Sequence, residues 1–142
     1  MSASSGIPSV ERVLVVPASL FDALGRFQGF HDQADRYLQA MLVPDQARFL
    51  ERSLAEEDPG FKQIIPYVVF RAGDQIFCYT RGSSQGEARL RRRRSLGVGG
   101  HVNEADADGR TTLAAYEIAV QRELEEEVEI GSRGAMRCLG LI

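Results

Sequence analysis

Residues 122–130 read RELEEEVEI and close a longer run, residues 111–130 (TTLAAYEIAVQRELEEEVEI), whose spacing decides the reading. Leu113, Tyr116, Val120, Leu124 and Val128 recur at steps of three and four, one apolar stripe of an amphipathic helix. Thr111 or Thr112 can cap its start, which predicts a helix to about Glu129. Glu123, Glu126 and Glu127 are related by i, i+3 and i+4, so their carboxylates crowd one another on the neighbouring face. Like charges this close destabilise a helix unless a cation lies among them. A hard divalent ion such as Mg²⁺ answers that need, because it takes carboxylate and water oxygens. Arg122 can pair with Glu126 one turn on. The plainer reading is a solvated acidic face. Two features argue against it: the carboxylates flank the apolar stripe instead of opposing it, and the helix follows a glycine-rich strand end, SLGVGGHV (residues 95–102).

Working outward, residues 103–110 (NEADADGR) read as a loop before this helix, and residues 131–134 as a turn after it. Residues 135–142 then read as a strand that has just begun. Upstream, 12–16 (RVLVV), closed by Pro17, is a short buried strand. Ser19 to Leu24 makes one or two helical turns ended by Gly25. The spacing of Tyr37, Leu38, Met41 and Leu42 predicts a helix over 32–41. A second helix is expected from Asp45, as its cap, to about Ala55, presenting Phe49, Leu50 and Leu54. Residues 63–70 (QIIPYVVF) suggest a strand covered on both faces, with Pro66 marking an edge, a bulge or a true start at Tyr67. Ala72, Gly73 and Asp74 turn the chain back into 75–80 (QIFCYT).

The chain has 142 residues, 44% of them hydrophobic, enough for one domain with a real core. No apolar run reaches the roughly 20 residues of a membrane span, and the first residues do not resemble a secretory signal. Cys78 and Cys138 lie far apart in apolar surroundings, which suggests two buried free thiols in a reduced, cytoplasmic setting. With a net charge of −3, bulk electrostatics favour no class of partner. The run Arg89, Arg91, Arg92, Arg93 and Arg94 could meet phosphates. No aromatic residue interleaves with it, so a solvated loop is the default, substrate phosphate comes second and nucleic acid last.

Residues 122–130 resemble the core REUxEExGU of the Nudix box, where U is a bulky aliphatic residue, and Gly99 and Gly100 resemble the glycine pair that opens it. FKQIIPYVVF followed downstream by SLGVGGHVN is similar to a bacterial Nudix group described as phosphoesterases. This resemblance covers roughly residues 61–142, with the box at 99–130 and residues 1–60 as an N-terminal extension carrying a strand and short helices. It implies an α+β fold, an α/β/α sandwich with a mixed sheet. It also implies hydrolysis of a nucleoside diphosphate linked to another group, with Mg²⁺, or Mn²⁺ in its place, as cofactor. Carried onto this chain, Glu126 and Glu127 become primary metal ligands, Glu123 a further ligand and the Gly100 carbonyl a contributor. Arg122 then orients the glutamates, supported by Gly99 and His101.

Three departures stand out. The box Gx5Ex7REUxEExGU places a supporting glutamate at position 114, where this chain has Ala114, with Glu117 three residues later. Gly100 and Arg122 are 22 positions apart against 14 in the box, the extra eight falling in NEADADGR. Glu129 stands where the box has a glycine. His101 could titrate near neutral pH, but a hydrogen-bonded structural histidine is the favoured role. His31 reads as incidental, and no residue is singled out as general base.

Only twelve residues follow Ile130, so the family fold is expected to be truncated at its C-terminus, as a fragment, a prematurely ended product or a compact variant completed by a partner. Two classes of function follow: an active hydrolase of a nucleotide-like small molecule, completed in one version by homodimerisation, or a Nudix-like module without catalysis. Membrane binding is not expected, and a nucleic-acid role is the weakest.

Overall fold

The computed structural model describes residues 9–82, 92–132 and 134–142. Its centre is β1 (Arg12–Pro17), whose Val13, Leu14, Val15 and Val16 are all buried. A strand alternates its side chains between two faces, so four consecutive buried residues require cover on both sides. Leu14 and Val16 face a core with Tyr37, Met41, Ile64, Val102, Ala115 and Ala119. Val13 and Val15 face a smaller cluster with Ala55, against which Leu50 and Phe61 pack. Helices α2 (Ala34–Met41) and α5 (Thr112–Glu127) supply the first cover, and α3 (Arg52–Glu57) the second. The result is helix on sheet on helix, with a short α1 (Leu20–Leu24) beside the larger core.

β1 lies between β2 (Arg48–Glu51) and β3 (Phe61–Gln63), antiparallel to both, with Leu14 opposite Phe49 and Val16 opposite Lys62. The Leu14 N–H donates to the Val102 carbonyl at 2.8 Å, which ties the strand end before the glutamate helix to this sheet. Residues before and after position 60 therefore share one core. Further along, β4 (Tyr67–Val69) pairs with β9 (Gly97–Gly99). β5 (Arg71–Ala72) turns through Gly73, at φ 59°, into β6 (Gln75–Ile76), and β7 (Tyr79–Thr80) pairs with β8 (Arg94–Ser95). Every one of these pairings is antiparallel.

Several expectations from sequence are corrected. Residues 48–51 form a strand where a helix over 45–55 was expected, and only Arg52–Glu57 are helical. Pairing with β1 overrides the local helical spacing, a contact that no local pattern records. The strand over 63–70 breaks at Pro66 and resumes at Tyr67, and it is not covered on both faces: Tyr67 and Val69 are 47% and 39% exposed. Residues 104–107 form a helical turn, α4 (Glu104–Ala107), in place of the expected loop. Residues 134–142 contain no strand, only one bridge between Leu141 and His31. Neither thiol is buried: Cys78 is half-buried and Cys138 exposed.

Candidate metal centre at the glutamate helix

α5 starts where Thr111 accepts a hydrogen bond from the Ala114 N–H at 3.2 Å, satisfying one of the free donors of the first turn. Its buried seam is Ala115, Ala119, Val120 and Leu124. Leu113, expected in the apolar stripe, is 52% exposed. The two alanines pack in the core with Leu14 and Val16, and small residues allow that close approach. A reading weighted towards bulky residues therefore rotates the stripe away from them.

Glu123 lies at the rim of this seam with 14% of its side chain exposed, against Gly100. A Cβ on Gly100 would collide with the Glu123 carboxylate, so the glycine forms the cradle in which that group rests. A Cβ on Gly99 would collide with the Pro66 carbonyl. The first glycine admits the neighbouring strand and the second admits the glutamate. Glu126 reaches Arg122 Nη1 at 3.4 Å from an exposed position, 57% open. Glu127 is exposed and has no ion pair among the described residues.

Arg122 gathers this arrangement. Its Nε and Nη2 donate to the two carboxylate oxygens of Asp106 at 2.9 and 3.0 Å, Nη2 also donates to the His101 carbonyl at 2.9 Å, and Nη1 donates to Glu123 at 2.9 Å. Asp106 is 5% exposed and also accepts from the Asn103 N–H at 2.8 Å, closing the first turn of α4. The hydrogen bonds that Arg122 donates to Asp106, with the one to Glu123 behind them, raise its pKa far above the ordinary value against the opposing effect of burial. Arg122 is a permanent cation. Sequence reading missed Asp106, since NEADADGR was taken as a loop. The signal that could have found it is Asn103 followed three residues later by an acid, the spacing of a helix-capping pair.

His101 presents its backbone carbonyl to Arg122, while its Nδ1 is buried without a hydrogen-bond partner. Burial lowers its pKa from the ordinary 6.5, with Arg52 adding and Glu11, Glu56 and Glu123 opposing, so the ring is neutral at pH 7. The hydrogen-bonded ring expected from sequence is not formed at Nδ1. His31 packs its ring 4.9 Å from Phe27 and 5.0 Å from Tyr37. In the arginine run, Arg89 and Arg91 lie outside the described residues, and Arg92 to Arg94 are exposed at and before the β8 edge.

As they stand, no three His, Cys, Asp or Glu side chains converge on one point among the described residues. The donor set nevertheless suits a hard divalent ion: three carboxylates on one helix face, one of them resting against a glycine whose missing side chain lets it approach the main chain. Glu126 and Glu127 are exposed, Glu126 with its long contact to Arg122. Among the described residues no helix is long and apolar enough to cross a membrane.

No family model matches the chain. Among curated proteins it is similar to protein YmaB of Bacillus subtilis (strain 168), with 42% identity over 120 residues that make up 82% of this chain and 57% of YmaB. Among solved structures it is similar to the crystal structure of Tm1382, described as a candidate Nudix hydrolase. The TM-score is 0.75 at 36% identity, over 93% of this chain and 66% of Tm1382. The chain thus spans less than two thirds of either protein's length.

Proposed function

We propose, from the premise that this chain belongs among the Nudix hydrolases in fold and sequence, that it is a Mg²⁺-dependent hydrolase of pyrophosphate bonds in nucleotide-like small molecules. The observation that carries the proposal is the placement of Glu123 against Gly100, with Glu126 and Glu127 on the same helix face and Arg122 between them and Asp106. Glu126 and Glu127 would hold the metal, Glu123 would add a third carboxylate, and the Gly100 carbonyl would complete the protein's donors. Divalent ions, when bound, neutralise a diphosphate, polarise its phosphorus and lower the pKa of water. Mn²⁺ offers the same coordination chemistry.

The chain's own residues do the rest. Arg122 holds Glu123 by one nitrogen while its fork is turned to Asp106, so the glutamate keeps an oxygen for other contacts. The main chain at Gly100 and His101 is drawn towards α5 through the His101 carbonyl. Burial keeps the His101 ring uncharged, so it adds no repulsion to a cation nearby.

The test is phosphate release with Mg²⁺ from nucleotide sugars, dinucleoside polyphosphates, ADP-ribose and NADH. Turnover is expected on at least one of them. Glu126→Gln and Glu127→Gln are each expected to lower it by about a hundredfold or more without shifting the melting temperature, since the exposed carboxylates carry little of the fold. Unchanged rates in both variants would reject the metal assignment. No turnover on any substrate would favour a Nudix-like module without catalysis.

A further inference from the structure

β9 is poor in the side chains that hold a strand in register. It reads Gly97, Val98 and Gly99, runs on into Gly100, and pairs with β4 alone among the described residues. A glycine-rich strand is weakly specified against slipping along its partner. Here a slip would carry Gly100 away from the Glu123 carboxylate that rests against it, in space where a Cβ has no room. The buried Val98 is one anchor. A second lies at Gly97, just after the chain bends at Leu96 and passes from its pairing with β7 to its pairing with β4. Alternate residues of an antiparallel ladder turn their N–H and carbonyl away from the partner strand. At Gly97 two phenols meet these groups: the N–H donates to the Tyr67 hydroxyl at 2.9 Å, and the Tyr79 hydroxyl donates to the carbonyl at 2.9 Å. Each of the two strands supplies one of them, Tyr79 opposite Ser95 on β7 and Tyr67 opposite Gly99 on β4. The Tyr67 ring lies across Gly97 in the space a Cβ would fill, so glycine is what admits it.

We propose that Tyr67 and Tyr79 are positioning residues of the metal site, clamping the peptide at Gly97 so that Gly100, three residues on, keeps its station against Glu123. This rests on the metal site proposed above and adds to it two hydroxyls from strands that carry none of its ligands.

Two measurements on the full chain without substrate test it. Tyr67→Phe and Tyr79→Phe each delete one hydroxyl and keep the ring. In Tyr67→Phe the Gly97 amide is expected to exchange with solvent about tenfold faster, the equivalent of one ordinary hydrogen bond, while amides of β1 keep their rates. Mn²⁺ affinity, followed by electron paramagnetic resonance, is expected to fall about three- to tenfold in each variant, less than when a group bonded directly to a metal ligand is lost. In a Glu123→Ala background the same changes are expected to weaken Mn²⁺ less than about twofold, because the carboxylate through which the clamp acts is gone. Tyr79→Phe carries the comparison alone should Tyr67→Phe melt early. Unchanged affinity in the phenylalanine variants overturns the proposal, as does an equal loss in both backgrounds, which marks a general loosening of the fold. Either result counts against the clamp while Glu126→Gln and Glu127→Gln still abolish Mn²⁺ binding. Should those two glutamine variants bind Mn²⁺ normally, the metal site itself fails and the clamp's role with it.

Discussion

Adjacent glycines at positions 99 and 100 do separate work, and alanine at each separates fold from site. At Gly99 the added methyl meets the Pro66 carbonyl, a backbone atom that cannot turn aside. Gly99→Ala is expected to cost about 1–3 kcal/mol, in the range of overpacked positions, and to lower the melting temperature by several degrees in a calorimetric scan. At Gly100 the methyl meets the end of the flexible Glu123 side chain. Gly100→Ala is expected to leave the melting temperature nearly unchanged and to weaken Mn²⁺ binding by displacing one carboxylate. Equal melting losses in both variants would contradict this division. The glutamates were legible in the sequence because their relation is local, three and four residues along one helix. Asp106 was not, because it acts across sixteen residues from a stretch whose composition says only turn.

At the level of elements, the best-read segments were those whose partners do not alter their local preference. RVLVV is β-branched and unbroken, and as β1 it is buried on both faces. α5 is capped by Thr111, one of the two threonines that could start it. Thr111→Ala is expected to cost about 1 kcal/mol in chemical denaturation, the usual worth of a side-chain cap, with most of the loss recovered by Ser or Asp at that position. A loss that serine does not recover would show that the threonine methyl, not the cap, matters. Residues 45–51 were misread for a physical reason. Phe49 and Leu50 suit a helical face and a half-buried strand equally well, and the β1 edge, more than thirty residues away, decides between them. α4 escaped notice because one turn of helix carries no periodicity at all.

Over the whole molecule, apolar surface is unevenly covered. Tyr67, Ile76, Phe77 and Leu96 are each 47–53% exposed on the small strand pairs. Ring contacts from Phe70 through Phe77 to Tyr79, and the Tyr79 and Tyr67 hydroxyls bonded to Gly97, tie these segments together. Exposed apolar faces of this kind favour association. The chain is expected to sediment with a mass that grows with concentration, and a variant with Ile76→Lys and Phe77→Ser to stay smaller at the same concentration. Identical behaviour of the two would place the contact elsewhere.

β1 adds a consequence in time. Its neighbours Val102, Ala115 and Ala119 are made about ninety to a hundred residues after it. During synthesis the face of β1 that carries Leu14 and Val16 has only the earlier part of its cover, from α2 and Ile64, until α5 has left the ribosome. Contacts of such long sequence separation slow folding and lengthen the interval in which chaperones or neighbouring chains can capture a nascent strand.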